Sequence, residues 1–131
     1  MSLQFHHVAV KCKDLEKSVA FYTAIGLCEY ARWGEGEGEI VLMELPGGGK
    51  IELFANGGDA YPQEGKYAHF ALESHQVEED YARALAAGAT PHIEPKYVSL
   101  ASKPRPMTLH LAFVLGPDGE ELEFIESKFD D

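Results

Sequence analysis

The chain of 131 residues contains two copies of one pattern. Residues Phe5–Leu27 (FHHVAVKCKDLEKSVAFYTAIGL) align without gaps to Tyr67–Ala89 (YAHFALESHQVEEDYARALAAGA). The alignment places His7 on His69, so each half carries a histidine at the same point of a predicted strand. A repeat of this length predicts two similar modules, each built from the same order of elements.

A second repeated feature lies further along each half. Two short apolar segments each hold one central acid, Lys50–Phe54 (KIELF) and Glu121–Ile125 (ELEFI), so Glu52 corresponds to Glu123. Two imidazoles and two carboxylates are donors that suit a divalent zinc, nickel, iron, cobalt or manganese ion. The duplication therefore predicts that these four side chains converge on one metal ion.

The first half predicts the element order β-α-β-β-β. Phe5–Cys12 alternates as a strand, and Asp14 is placed to cap a helix that stops at Gly26. The buried stripe of this helix is predicted as Leu15, Val19, Tyr22 and Ile25. Further strands are predicted over 28–33, 40–45 and 50–54, the last two joined by a PGGG turn.

The second half repeats this order with one longer connection. Strands are predicted over 69–73, 108–115 and 121–125, with a helix over 77–87 and a GPDG turn before the last strand. The spacing from His69 to Glu123 is 54 residues against 45 from His7 to Glu52. We therefore expect residues 97–106 (YVSLASKPRP) to form an added loop that overhangs its surroundings.

Strand alternation separates the apolar side chains from the four candidate ligands. Apolar residues occupy the positions that face the helices, namely Val8, Val10, Ile51, Leu53, Phe70, Leu72, Leu122 and Phe124. The two histidines and two glutamates then share the opposite face. By the same alternation His6 faces the helix, while His110 is a further candidate on a strand and His75 and His92 are expected in solvent.

Composition narrows the class of protein. The net charge of −11 disfavours nucleic acid as a partner, and no apolar run reaches the roughly 20 residues of a membrane span. The N-terminus lacks a signal-peptide pattern, which predicts a cytoplasmic protein. We expect a single domain over 1–131, with modules at about 4–56 and 66–127 and a linker at about 57–65, and with Cys12 and Cys28 both reduced.

Four segments, FHHVAVKCKDLEKSVAFY, IELF, HFALE and GPDGEELEFIE, resemble the glyoxalase I branch of the vicinal oxygen chelate superfamily. The resemblance implies an α+β fold in which two βαβββ modules form a U-shaped cleft around one divalent metal. It implies His7, Glu52, His69 and Glu123 as the ligands, nickel or zinc ahead of iron, cobalt or manganese, and a homodimer.

The resemblance also implies an activity. A hemithioacetal of a 2-oxoaldehyde such as methylglyoxal with glutathione or another thiol would be isomerised to a 2-hydroxyacyl thioester, through an enediolate that the metal stabilises. Glu123 is then the general base, with Glu52 as the second candidate. Asn56 matches a substrate-binding asparagine, whereas Lys11 stands where the family has arginine and loses the bidentate carboxylate contact.

Other readings of the sequence stay open. Lys103 and Arg105 in the longer connection are candidates for binding a substrate carboxylate or phosphate, and solvated loop charges are the alternative. An acyl-CoA epimerase or another vicinal oxygen chelate enzyme is the enzymatic alternative. A non-catalytic module that binds an antibiotic is the alternative from a different class.

Overall fold

The computed structural model describes residues 5–59 and 69–130. The chain divides into two compact units: the described part of Met1–Gly65 with Pro117–Glu120, and the described part of Lys66–Gly116 with Glu121–Asp131. The predicted linker 57–65 lies outside the described residues from position 60 onward. No helix within these described ranges is long and apolar enough to cross a bilayer.

The first unit contains one helix and a four-stranded mixed sheet. Its elements are β1 (His7–Lys11), α1 (Leu15–Ala24), β2 (Cys28–Trp33), a short 3-10 helix (Gly36–Gly38), β3 (Ile40–Glu44) and β4 (Lys50–Phe54). The strand order is β1-β4-β3-β2, in which β1 and β4 are parallel and the other neighbours antiparallel. The predicted PGGG hairpin is confirmed between β3 and β4.

The second unit repeats this arrangement strand for strand. Its elements are β5 (Phe70–Glu73), α2 (Val77–Ala86), β6 (Thr90–Leu100), β7 (Met107–Leu115) and β8 (Glu121–Phe129). The strand order β5-β8-β7-β6 has the same pattern of one parallel and two antiparallel neighbours. The prediction of an α+β fold with two βαβββ modules is therefore confirmed.

Each helix packs on one face of its own sheet. Helix α1 contacts β2, β3 and β4, and α2 contacts β6, β7 and β8. Five of the predicted helix-facing strand residues are buried: Val10, Ile51, Leu53, Leu122 and Phe124. Val8, Phe70 and Leu72, which lie on the edge strands β1 and β5, are only half-buried. Leu42, Leu111 and Glu123, at intervening positions, are buried as well. Burial of this apolar face leaves the intervening side chains to the other face of each sheet.

Helix α1 begins as predicted, but its buried face is rotated from the predicted stripe. The Asp14 carboxylate caps the helix by accepting a hydrogen bond from the Lys17 amide at 3.1 Å. The buried helix residues are Leu15, Ser18, Phe21 and Tyr22, so Val19 and Ile25 were wrongly placed in the fully buried stripe. Sequence alone gave no reason to bury the polar side chain of Ser18.

The reason is a turn at the other end of the chain, Pro117–Glu120, which belongs to the first unit. Asp118 is 3% exposed, and its carboxylate accepts hydrogen bonds from Ser18 Oγ at 3.1 Å and from the Lys13 amide at 2.7 Å. Glu120 is equally buried and accepts a hydrogen bond from Tyr22 Oη at 2.7 Å. Loss of hydration on burial raises the pKa of the Glu120 carboxyl above its ordinary value.

The expected added loop at 97–106 is wrong over its first four residues. Tyr97–Leu100 are the end of β6 and pair with β7 from His110 to Met107, so only 101–106 connect the two strands. Strand β8 also runs four residues beyond its predicted end, since Phe129 pairs with Met107. The extra length of the second half therefore extends one antiparallel sheet rather than forming a long irregular loop.

Candidate metal-binding pairs

His7 and Glu52 lie side by side on the face of the first sheet that α1 does not cover. Strands β1 and β4 are parallel with Ala9 opposite Glu52, which brings the His7 ring beside the glutamate carboxylate. His7 Nε2 lies 3.3 Å from Glu52 Oε1. The Glu52 side chain is 16% exposed and that of His7 36%, so the pair is open to solvent from one side.

His69 and Glu123 form the equivalent pair in the second unit. Ala71 lies opposite Glu123 in the parallel β5–β8 ladder, the same register as Ala9 and Glu52 in the first sheet. His69 Nε2 lies 3.1 Å from Glu123 Oε1, with side-chain exposures of 37% and 8%. Both units thus present an imidazole Nε2 and a carboxylate oxygen in the same register. These four residues are the ones that correspond in the sequence repeat.

The separation of the donors in each pair fits a shared metal ion. Two ligands about 2.0–2.2 Å from one ion, at angles between 90° and tetrahedral, lie roughly 3.0–3.5 Å from each other. The distances of 3.3 and 3.1 Å fall in this range. Among the described residues no three His, Cys, Asp or Glu side chains form a group suited to a metal. Each pair by itself offers two donor atoms.

His6 contacts His7, contrary to the prediction that it faces the helix. Strand β1 begins at His7, so alternation does not extend to His6, whose side chain is exposed. The two Nδ1 atoms lie 2.9 Å apart, and the ring planes meet at 79°. Sequence reasoning missed this contact because it assumed that the strand began at Phe5.

The second unit contains a further His–Glu pair, which shares with His69 a contact with Phe113. His92 Nε2 lies 2.9 Å from Glu121 Oε1, so His92 is paired rather than only solvated, although its side chain is 40% exposed. Phe113 contacts both His69 and His92 in T-shaped arrangements. Its ring centroid lies 5.0 Å from that of His69 and 6.3 Å from that of His92. Phe113 also lies opposite Glu123 in the β7–β8 ladder.

The other candidate histidines lie on a different face. His110 lies opposite Glu126, three residues beyond Glu123, and alternation therefore directs it to the face that does not hold Glu123. Its ring stacks on Tyr97 with centroids 4.1 Å apart. His75 Nδ1 lies 2.8 Å from Glu126 Oε2, and Glu126 raises the pKa of the His75 imidazole. His110 is thus not a fifth polar group beside Glu123.

Lys11 and Asn56 lie at the same end of the first sheet. Lys11 is the last residue of β1, and Asn56 is in the turn two residues after β4. Each is four residues beyond a member of the His7–Glu52 pair, a distance of about 13 Å along a strand.

The structure does not bring Lys103 and Arg105 to the second pair. Both are exposed in the 101–106 connection, and Arg105 lies over the Phe129 ring with 4.4 Å to the centroid. Glu123 pairs with Phe113, six residues along β7 from Met107, where the strand begins. The connection therefore begins six ladder positions, a strand length of about 20 Å, from the position of Glu123.

Comparison with proteins of known sequence identifies relatives over the whole length of the chain. The chain is 30% identical over 129 residues to a protein from Vibrio cholerae named probable lactoylglutathione lyase, which covers 93% of this chain and 89% of that protein. It is 25% identical over 139 aligned positions to YwbC from Bacillus subtilis, covering 96% and 99% of the two chains.

Solved structures share the fold at lower identity. Glyoxalase I from Zea mays matches with a TM-score of 0.77 at 20% identity over 97% of this chain, which spans 45% of the maize chain. A glyoxalase family protein from Bacillus cereus matches with a TM-score of 0.71 at 20% identity, covering 97% and 95% of the two chains. The model of one protein family matches residues 4–124. The chain therefore belongs to the Glyoxalase/Bleomycin resistance protein/Dioxygenase superfamily.

Proposed function

We propose that this protein is a metal-dependent isomerase of the glyoxalase I (lactoylglutathione lyase) type. The observation that most supports this is the repeated pair of a histidine Nε2 and a glutamate oxygen, in one register and at 3.3 and 3.1 Å. His7, Glu52, His69 and Glu123 would be the ligands of one divalent ion, nickel or zinc by preference. Its substrate would be a 2-oxoaldehyde–thiol hemithioacetal, and its product a 2-hydroxyacyl thioester.

A bound divalent ion would supply Lewis acidity toward two substrate oxygens on adjacent carbons, which would acidify the proton on the hemithioacetal carbon next to the carbonyl. Glu123 would take that proton and return it to the adjacent carbon, while the hydroxyl proton passes from the hemithioacetal oxygen to the former carbonyl oxygen, so that the isomerisation needs no external oxidant or reductant. The Glu123 side chain is 8% exposed, so the transferred proton has little access to bulk water. Glu52, at 16% exposure, is the second candidate for this role.

The thiol part of the substrate would extend from the pairs toward Lys11 and Asn56. A peptide of three residues spans about 10 Å when extended, which is close to the roughly 13 Å from the first pair to these side chains. The Lys11 ammonium would attract a carboxylate of glutathione or of another acidic thiol, and Asn56 would donate a hydrogen bond. Lys103 and Arg105 remain candidates only for a more distant anionic group.

The test combines metal analysis with an assay. Protein loaded with nickel or zinc should retain one ion for each set of four ligands and convert methylglyoxal plus glutathione to the thioester. The assay is run under reducing conditions, because we propose a cytoplasmic homodimer. Proton exchange with acyl-CoA esters instead of this reaction would indicate an epimerase. Metal-free protein that binds bleomycin tightly and has no turnover would indicate an antibiotic-binding module, and either result would overturn the proposal.

A further inference from the structure

Both ring nitrogens of His7 have a partner. Its Nε2 faces the Glu52 carboxylate at 3.3 Å, and its Nδ1 lies 2.9 Å from Nδ1 of His6. The distance between the two Nδ1 atoms is that of a hydrogen bond, in which one ring donates and the other accepts. The proton positions of His6 and His7 are therefore coupled.

In the metal-free protein the carboxylate of Glu52 decides these positions. An ionised carboxylate can only accept, and Glu52 Oε1 lies 3.3 Å from His7 Nε2, so its negative charge favours the tautomer of neutral His7 that carries the proton on Nε2. Its Nδ1 is then an acceptor, and His6 must carry its own proton on Nδ1 to donate across the 2.9 Å contact.

Metal binding would require the opposite arrangement. If His7 held an ion through the lone pair of Nε2, its proton would lie on Nδ1, where it needs an acceptor. His6 Nδ1 can provide it, provided that the proton of His6 moves to its other ring nitrogen, Nε2. Metal-ligating histidines usually donate to a fixed carboxylate or carbonyl, whereas an imidazole partner can serve the ring as donor before binding and as acceptor after it.

The geometry points to His6 as the residue that sets the tautomer of His7 for metal binding. This inference rests on the proposed function, because it takes His7 as a ligand. His6 is a positioning residue, since it acts through His7. The repeat places Ala68 at the equivalent point before His69, and an alanine side chain has neither donor nor acceptor. The pairing of a ligand histidine with a preceding histidine therefore occurs in the first copy of the repeat and not in the second.

Nitrogen-15 NMR of the imidazoles reads out the tautomers directly, at a pH where both rings are neutral. In metal-free protein we expect the proton on Nδ1 of His6 and on Nε2 of His7. Zinc should invert both assignments. A His6 proton that stays on Nε2 with and without zinc would overturn the inference.

Substitutions separate a positioning role from a structural one. His6→Phe keeps a ring but removes the acceptor, and zinc affinity should fall about tenfold to a hundredfold, the range for lost outer partners of metal-bound histidines. His6→Asn should restore most of it, because Asn Oδ1 can take the place of Nδ1. His75→Phe, at an exposed histidine held by Glu126, is the matched control and should leave affinity unchanged.

These measurements also distinguish this inference from the proposed function. If the protein binds zinc with the expected His6 dependence but has no isomerase activity, the proposed reaction is wrong and the role of His6 stands. If zinc affinity is the same in wild type, His6→Phe and His6→Asn, the role of His6 is wrong whatever the activity.

Discussion

Ser18 donates a hydrogen bond to Asp118 over 3.1 Å, which joins the middle of helix α1 to a turn 100 residues further along the chain. The same carboxylate accepts from the Lys13 amide, just before the helix. Asp118 thus fixes both the start of α1 and its rotation, because Ser18 must face the turn. The turn itself ends one residue before β8, the strand that carries Glu123.

Replacing Asp118 by alanine should destabilise the protein. It leaves the buried Ser18 hydroxyl and the part-buried Lys13 amide without their acceptor, and the buried donor alone costs about 1–3 kcal/mol in the free energy of unfolding. Asp59→Ala is the matched control, because its pair with Lys13 at 3.2 Å is exposed and such pairs contribute about 0–1 kcal/mol. Urea unfolding measures both, and equal effects of the two substitutions would contradict the buried role of Asp118.

Glu120 gives the stability a pH dependence of known sign. Its pKa is raised in the folded state by burial, so the folded protein holds this proton more tightly than the unfolded chain does. The contribution of this proton to the free energy of unfolding is therefore complete at low pH. It is lost as the pH rises from about 4.3, the pKa of a glutamate in the unfolded chain, through the higher pKa of the folded protein. Relative to Glu120→Gln, wild type should lose stability across this window in thermal melts at successive pH values. A difference in melting temperature between wild type and Glu120→Gln that stays constant with pH would contradict the raised pKa of Glu120.

The two cysteines should differ sharply in reactivity. Both are free, but Cys12 is buried and Cys28 exposed. Loss of hydration on burial raises the pKa of the Cys12 thiol to about 12, so little nucleophilic thiolate forms near neutral pH. Ellman's reagent at pH 8 should therefore titrate one thiol quickly in native protein and two after unfolding. Cys28→Ser should abolish the fast phase, and Cys12→Ser should leave it.

Local patterns predicted the elements whose signals lie in neighbouring residues. Asp14 caps α1, and the strand over Cys28–Trp33 has its predicted bounds, because capping and alternation act over a few residues. The end of β6 at Tyr97–Leu100 was missed, since it is fixed by pairing with β7 and precedes a proline-rich connection. Partners distant in sequence are not visible in a local pattern.

The candidate site divides in the same way. The repeat and strand alternation predicted that His7, Glu52, His69 and Glu123 converge on one ion. The structure brings His7 to Glu52 and His69 to Glu123, because a two-residue period and a parallel ladder determine each pair, and the convergence of all four stays a prediction. The contact of His6 with His7 could not be predicted, as it depends on where β1 begins. The contact of the Phe113 ring with the His69 ring could not be predicted either, because Phe113 lies on β7, far from His69 in sequence.

Removing either histidine of the two pairs should weaken metal binding. His7→Ala and His69→Ala each delete one nitrogen donor, and zinc affinity measured by competition with a chelator should fall by more than the roughly tenfold to hundredfold of a lost outer partner. His75→Ala is a strict control, because His75 also lies 2.8 Å from a glutamate oxygen but on the other face of its sheet. A loss of affinity in His75→Ala equal to that of the other two would show that the repeated pairs are not the site.

Replacing Glu123 by glutamine tests the proton transfer itself. Glutamine keeps the size of the side chain and one oxygen donor but cannot accept a proton, so turnover of the hemithioacetal should fall at least about a hundredfold. Glu121→Gln makes the same charge change two residues earlier on the same strand, where the carboxylate pairs with His92, and should have little effect. Zinc content measured on both variants separates a lost base from a lost ion. If Glu123→Gln retains zinc and wild-type turnover, Glu123 is not the base, and Glu52→Gln becomes the variant that must then lose activity.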